Sequence, residues 1–418
     1  MPLPVCLVFM INTKENSADS LLSAYVNVAK AVGFENIFRM EAIVYLASPN
    51  IRSLSAKAVI CATKPQPIIL KETNVCSGVI NFNKSILYRK KYLFLMKVLI
   101  TGGAGYLGSV LVGKLLEQSY EVIVLDKLLF NQTSLLQYTS KSKFKFIHGD
   151  VRNETLLEKL CNEVDVIIPL AAIVGFPACA QDPQLAKEIN FQQIVNIVKF
   201  TNGKGKKILY PNTNSGYGLS TGQLECTEES PLTPISVYGQ TKCDAENFLR
   251  TSTDAIIFRL ATVFGVSPRM RTDLLVNDFV YKAITDKYIV VFEKQFKRNF
   301  IHIQDVAFTF CFMIQHYDKY KSEVFNVGLS NANLSKQELL EKIQSHVKDF
   351  AVVYDDYYED PDKRNYIVSN DKLEATGWGP QWDLDRGIKE LIMAYQMIVP
   401  KMGFEFRNGF PLGYANQT

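Results

Sequence analysis

The sequence predicts an α/β fold, a doubly wound parallel sheet followed by a smaller C-terminal α/β domain. Three observations carry this. Four glycines, Gly102, Gly103, Gly105 and Gly108, follow the apolar run Val98-Leu99-Ile100 and precede a helix-like pattern, Val110-Leu111-Val112 and Leu115-Leu116. From 96 to about 260 the apolar runs are continuous rather than alternating, which suits strands covered on both faces. Helical patterns lie between those runs, as at 194–200, and that alternation builds a parallel sheet.

The first unit, at 98–116, reads strand, glycine turn, helix. This layout seats a dinucleotide pyrophosphate, because glycines allow close backbone approach and the helix N-terminus offers free N–H groups at the positive end of its dipole. Gly102, Gly105, Tyr106, Leu107 and Gly108 are the candidate residues of this cradle. The next strand, 122–125, ends in Asp126, eighteen positions after Gly108. An acid there can bond both hydroxyls of an adenosine ribose and repel a 2'-phosphate, so NAD is expected over NADP. Lys127 weakens that preference a little. Strands follow at 145–148, leading to Gly149-Asp150-Val151, and at 164–170, ending in Ala171-Ala172. The strand at 207–210 leads through Pro211-Asn212 to Thr213, and another strand runs 255–260. Polar loops, two or three helices and short strands beyond 265 predict the smaller domain.

The expected division is therefore an N-terminal extension at 1–95, a dinucleotide-binding domain at 96–265, and a substrate-binding region at 266–418 interleaved with it. The extension carries no chemical motif. A helix is expected at 21–32, capped by Asp19 and closed by Gly33, with short strands at 42–46 and 58–61. Met96 directly precedes the first core strand, so the extension is expected to be poorly integrated with the rest or an artefact of an upstream start.

Composition excludes several functions. The 418 residues leave room for two domains, and 47% hydrophobic with 21% charged residues is ordinary globular usage. Net charge is +4, and no basic run exceeds Tyr88-Arg89-Lys90-Lys91-Tyr92, so no nucleic-acid partner is expected. Eight cysteines (6, 61, 76, 161, 179, 226, 243 and 311) form no CxxC pair and none sits at metal-ligand spacing with the four histidines. Reduced thiols and no metal are expected. No apolar run reaches the roughly 18 residues a membrane span needs. The apolar start has no basic flank or evident cleavage site, so a cytoplasmic location is expected.

Tyr238 and Lys242 stand four residues apart, on one face of a helix. A tyrosine's reference pKa of about 10 is too high for a base at neutral pH. A nearby ammonium and the positive charge of an oxidised nicotinamide favour the phenolate. Tyr238 can then take a substrate hydroxyl's proton as a hydride leaves the same carbon. Thr213, at its strand end, can bond the same oxygen and stabilise the developing alkoxide.

Together these motifs resemble the extended short-chain dehydrogenase/reductase family, the NAD-dependent nucleotide-sugar epimerases and dehydratases, whose dinucleotide half has the Rossmann fold. The resemblance covers about 96–400. It rests on Thr101-Gly102-x-x-Gly105-x-x-Gly108, Asp126, Gly149-Asp150-Val151, Leu170-Ala171-Ala172, Asn190, Tyr217-Gly218, Tyr238-x-x-x-Lys242 and the run from Arg298 to Val306. It implies that Asp150 and Val151 flank the adenine and Ala171 lines the cofactor cleft. Lys242 tunes Tyr238 and holds the nicotinamide ribose, and Thr213 takes the family's Ser/Thr position. Arg298 matches the arginine that holds a sugar nucleotide's diphosphate. Arg269 and Arg271 are further anion-binding candidates, Asn277 a nucleotide contact, and Arg364 falls near the family's C-terminal substrate contacts. Relatives usually pair as homodimers through helices of the Rossmann half, and the helix carrying Tyr238 is a candidate contributor.

The departures narrow the chemistry. Where dehydratases of the family place an Asp-Glu pair after the threonine, this chain has Asn214-Ser215, neither a useful acid nor base at neutral pH. Dehydration is disfavoured, and so is the 3,5-epimerisation that uses a cysteine at the position of Ser215. Cys179 is expected to be a buried small residue, with a place beside the sugar as its other reading. What remains is reversible oxidation at one carbon, with 4-epimerisation of a nucleotide-diphosphate sugar first. Reduction of a keto sugar or of a non-nucleotide carbonyl compound is the alternative. A non-catalytic NAD sensor has no need of the Tyr238/Lys242 pair.

Overall fold

The computed structural model describes residues 96–219, 225–355, 357 and 364–397, together with three strands nearer the N-terminus. Those strands, β1 (Val5–Thr13), β2 (Met40–Val44) and β3 (Leu54–Ala62), form an antiparallel sheet in the order β1-β3-β2. Two of them coincide with the short strands expected at 42–46 and 58–61. The helix expected at 21–32 lies outside the described residues. The chain divides into two compact units, 1–94 and 95–418.

The second unit is built on seven parallel strands. In chain order they are β4 (Lys97–Thr101), β5 (Glu121–Asp126), β6 (Phe144–His148), β7 (Val166–Pro169), β8 (Lys207–Thr213), β9 (Ile256–Leu260) and, after a long excursion, β13 (Val324–Val327). Their spatial order is β13-β9-β8-β7-β4-β5-β6. The order reverses at β4, and in such sheets ligands bind where it reverses, beyond the carboxyl ends of the strands.

The continuous apolar runs are explained by burial on both faces. Along β4, Val98 and Ile100 point to one layer and Leu99 to the other, all fully buried. The first layer contains helix α1 (Tyr106–Glu117) and a later helix, α6 (Ile303–Gln315). The second contains α2 (Glu154–Glu163), α3 (Gln193–Thr201) and α4 (Val237–Ser252). Each such Leu or Ile removed from water contributes about 1.5–3 kcal/mol. A single outward-polar position in these strands would cost a comparable amount. Strand β6, at the edge, is the exception: its Phe146 remains partly exposed.

The remaining elements form a separate core. Strands β10 (Thr262–Phe264), β12 (Lys297–His302) and β14 (Asn333–Ser335) make one small sheet, and β11 (Tyr288–Phe292) pairs with β15 (Ala351–Asp355). Helices α5 (Leu275–Thr285), α7 (Lys336–His346) and α8 (Leu384–Met397) pack with them around Phe264, Val276, Phe300, Leu339 and Leu391. Between these elements the chain returns to the large sheet for α6 and β13, both beyond 265. Among the described residues no helix is long and apolar enough to cross a membrane.

Candidate active site

The cradle begins at the end of β4. Gly102 adopts φ +72°, a conformation L side chains rarely take, and a Cβ there would stand 2.6 Å from the Ala171 backbone nitrogen. A Cβ on Gly108 would stand 2.6 Å from the Gly102 oxygen. Helix α1 starts at Tyr106 with Gly105 as its N-cap and no side-chain cap, so its first N–H groups open toward the cleft. Only bare backbone fits here, which is what close approach to a pyrophosphate requires. Gly102→Ala is accordingly expected to lose bound NAD while the core strands stay folded, since strain of about 1–3 kcal/mol falls on the turn itself. Release of NAD from heat-denatured protein, compared with the parent, measures this.

Asp126 closes the side of the cradle. It is 8% exposed, and its carboxylate accepts from Ala104 N at 2.9 Å and Leu128 N at 2.8 Å. Burial raises its pKa, against the pull of those two bonds. Asp150 is held by Arg152 at 2.9 Å and by Lys127 at 3.1 Å. Burial works against its charge, but these partners win and hold the carboxyl at about 2. Lys127 is thereby engaged with Asp150 on the rim.

The helix carrying Tyr238 and Lys242 also borders the cleft. Helix α4 is started by the Ser236 hydroxyl, which accepts from Gly239 N at 3.1 Å. The first two turns then carry Tyr238 and Lys242. Tyr238 is half-buried and lines the cleft together with Thr213. Burial pushes its phenol up to about 12, while the Arg364 and Arg271 charges pull the other way. Lys242 is 4% exposed, with its ammonium over the Tyr210 ring at 4.2 Å, and burial lowers it to about 7. Thr213 donates to the Ser215 hydroxyl at 2.9 Å and accepts from Ser215 N at 3.1 Å. The Arg364 guanidinium in turn donates to Ser215 Oγ.

Every candidate residue named from the sequence except Asn277 and Cys179 lines one cleft of about 2000 Å³ at the carboxyl ends of the strands. Arg269, Arg271, Arg298 and Arg364 gather in the half bounded by the smaller core. Arg271 is paired with Asp273 at 2.6 Å, Arg269 lies over the Phe130 ring, and Arg298 lies over the Tyr366 ring at 5.6 Å. Asn277 is different: it is fully buried and does not line the cleft. Its amide accepts from Gly265 N at 3.1 Å and donates to the Arg271 carbonyl at 2.7 Å and the Tyr106 hydroxyl at 3.2 Å. Its side chain braces the loop that carries Arg271, so any part it takes in holding the nucleotide runs through that loop. Cys179 is likewise buried, bonded to the Ile173 carbonyl, and burial pushes its thiol up to about 11.

The sequence reading missed what lies beneath the site. Arg259 and Glu246, 1% and 0% exposed, form an ion pair at 2.6 Å. Glu246 also accepts from the Asn212 amide, whose carbonyl oxygen accepts from Thr213 N at 2.8 Å. Arg259 continues to the Tyr217 hydroxyl at 2.9 Å, which donates to Asn326 at 2.7 Å. A signal was present: Arg259 interrupts the apolar run Ile256-Ile257-Phe258, and a charge inside a buried strand must have a partner.

Comparison with known proteins agrees with this geometry. Residues 98–328 match the NAD dependent epimerase/dehydratase family. The chain is 26% identical over 270 residues to UDP-glucose 4-epimerase of Lactobacillus helveticus, covering 59% of this chain and 80% of that protein. It is 25% identical over 324 residues to dTDP-D-glucose 4,6-dehydratase of Mus musculus, covering 72% and 89%. The crystal structure of UDP-glucose 4-epimerase with UDP-glucose from Thermotoga maritima superposes with a TM-score of 0.64 at 22% identity, over 72% of this chain and 99% of that one. A glycine cradle closed by Asp126, a Tyr238/Lys242 pair facing it and a family match over more than half the sequence lead to one conclusion: this chain belongs to the NAD dependent epimerase/dehydratase family.

Proposed function

We propose that the protein interconverts nucleotide-diphosphate sugars by transient oxidation at one sugar carbon, with 4-epimerisation as the net reaction. The observation that carries this is the gathering of Thr213, Tyr238 and Lys242 on one cleft, with no carboxylate at Asn214 or Ser215. NAD, when bound, supplies hydride acceptance and return. Gly102, Gly105, Tyr106, Leu107 and Gly108 would hold its pyrophosphate, Asp126 its adenosine ribose, Asp150, Val151 and Ala171 the walls around it, and Lys242 its second ribose.

The chain's own residues handle the proton. Thr213 and Tyr238 hold the reacting hydroxyl between them, and Tyr238 Oη takes its proton. The guanidinium groups of Arg364 and Arg271 favour the phenolate against the burial that opposes it. The same phenol returns the proton when the carbonyl is reduced. Asn214 and Ser215 offer no acid or base at these two positions, which disfavours elimination of water.

Arg298 is proposed to bind the diphosphate, and Arg269 and Arg271 to support it. Arg298→Ala is expected to raise KM for a nucleotide sugar about 10–100-fold with a smaller change in kcat, the worth of a charge-assisted bond. An unchanged KM would favour a non-nucleotide carbonyl substrate. Turnover of a nucleotide hexose without net NADH, followed at the nicotinamide absorbance, tests epimerisation against reduction.

We also infer a dinucleotide-binding domain at 96–265 and a substrate-binding region at 266–418 interleaved with it, with 1–95 dispensable. A 96–418 chain is expected to fold and turn over like the full protein. Five described cysteines stand as thiols, which supports a reducing cytoplasm. A homodimer is the proposed assembly, and sedimentation of the NAD-loaded protein measures it.

A further inference from the structure

We propose that Phe130 and Arg269 close a clasp over the bound NAD and set how long the protein keeps it. This rests on the placement of NAD in the glycine cradle given above, and it holds whichever sugar reacts.

Both halves of the clasp are fastened to the cradle itself. On one side, the Asp126 carboxylate accepts from Ala104 N at 2.9 Å and from Leu128 N at 2.8 Å, and Ser134 Oγ donates to the Ala104 carbonyl at 2.7 Å. Between these anchors the chain turns tightly. Asn131 N donates to the Leu128 carbonyl at 2.9 Å, and φ is +53° at Leu128 and +51° at Asn131. A left-handed backbone is uncommon at leucine and persists only where its surroundings hold it. That turn carries Phe130, which lines the cleft. On the other side, the segment beyond β10 is tied to the first turn of α1. The Tyr106 hydroxyl donates to the Gly265 carbonyl at 2.6 Å. Ser267 Oγ donates to the Tyr106 carbonyl at 2.7 Å and lies 2.9 Å from Ser109 Oγ. Arg269 follows, 3% exposed, its backbone N–H donating to Ser267 Oγ at 3.2 Å.

The two segments meet at their tips. The Arg269 guanidinium carbon stands 5.0 Å from the centre of the Phe130 ring, within the reach of a cation–π contact. Contacts therefore close a ring: from Ala104 through Asp126 to Phe130, across to Arg269, and back through Ser267 to Tyr106. Ala104 and Tyr106 stand on either side of Gly105, the N-cap of α1, where the pyrophosphate belongs. A dinucleotide seated there is flanked by both segments, and its release requires the contact between them to open. In a cycle that takes a hydride and returns it, NADH lost midway strands the oxidised sugar, so slow release serves the reaction proposed above. This is a part for Arg269 beside the diphosphate support already given to it.

Dissociation of NADH from the full chain, measured without sugar, tests this. The protein is loaded with NADH and chased with excess NAD, and the decay of bound-NADH fluorescence gives the rate. Phe130→Leu keeps an apolar side chain but removes the ring face, and is expected to speed release about tenfold. Phe130→Tyr keeps a ring face, and its release is expected to stay within about twofold of the parent's. Arg269→Met is expected to match Phe130→Leu, and the double variant to release no faster than either alone, because the two side chains act through one contact. Parent-like release from Phe130→Leu overturns the inference. So do effects that multiply in the double variant, because the two residues would then act separately. A Phe130→Leu protein that takes up no NADH also overturns it, since residue 130 would then belong to the cradle rather than to a clasp over it. A parent protein that takes up no NADH contradicts the cofactor cradle itself, and this inference falls with it.

Discussion

Tyr238→Phe is expected to cut turnover by about 10²–10⁴-fold, the usual worth of a positioned acid–base group. The substitution removes one oxygen from a half-buried ring. Lys242 keeps its place over Tyr210, and the glycine cradle is untouched. NAD content and thermal stability should therefore stay near the parent's while kcat falls. The pH dependence adds a second readout. Tyr238 works as a base only when deprotonated, and burial holds it up at about 12 against the pull of Arg364 and Arg271. The parent's rate should rise with pH through the neutral and mildly alkaline range, as the phenolate fraction grows. The Tyr238→Phe protein should lose that slope. Near-full turnover with an unchanged pH profile would remove Tyr238 from the mechanism.

The second large effect is on stability. Glu246→Gln leaves the Arg259 guanidinium inside the fold without its counter-charge, since both side chains are essentially without solvent exposure. Breaking a buried pair from one side costs about 3–5 kcal/mol, because the surviving charge stays desolvated. Urea unfolding should show the unfolding free energy lowered by that amount and the midpoint moved to lower urea, in a transition that remains cooperative. Part of the loss should also appear in kcat, because Glu246 holds Asn212 and Asn212 holds the Thr213 backbone. An unfolding midpoint equal to the parent's would mean that the pair is not the anchor its geometry describes.

Much of this architecture was legible in the sequence, for physical reasons. A strand buried on two faces is apolar along its middle, so β4, β5 and β7 show as apolar runs, and β9 as one broken only by Arg259. A turn that admits no Cβ must be glycine, so Gly102 and Gly108 mark the cradle. Tyr238 and Lys242 are one helical turn apart, and that spacing is local. What escaped were relations between distant segments. Asn277 reads as a polar residue near the expected substrate region, but its burial depends on Gly265, Tyr106 and Arg271 closing around it. The Glu246–Arg259–Tyr217–Asn326 chain joins four elements, and no single window of sequence contains two of its bonds. Arg364 likewise lies 149 positions from Ser215, and only the fold brings it beside Thr213.

The most direct measurement is proton NMR of the NAD-loaded protein incubated with a panel of UDP-, GDP-, CDP- and dTDP-hexoses and hexuronates. The account predicts a new anomeric signal from one member of the panel, growing to an equilibrium mixture with no net NADH and absent with the Tyr238→Phe protein. A panel that stays unchanged, while NADH is consumed with a keto sugar or a non-nucleotide carbonyl compound, would contradict epimerisation and make the enzyme a reductase.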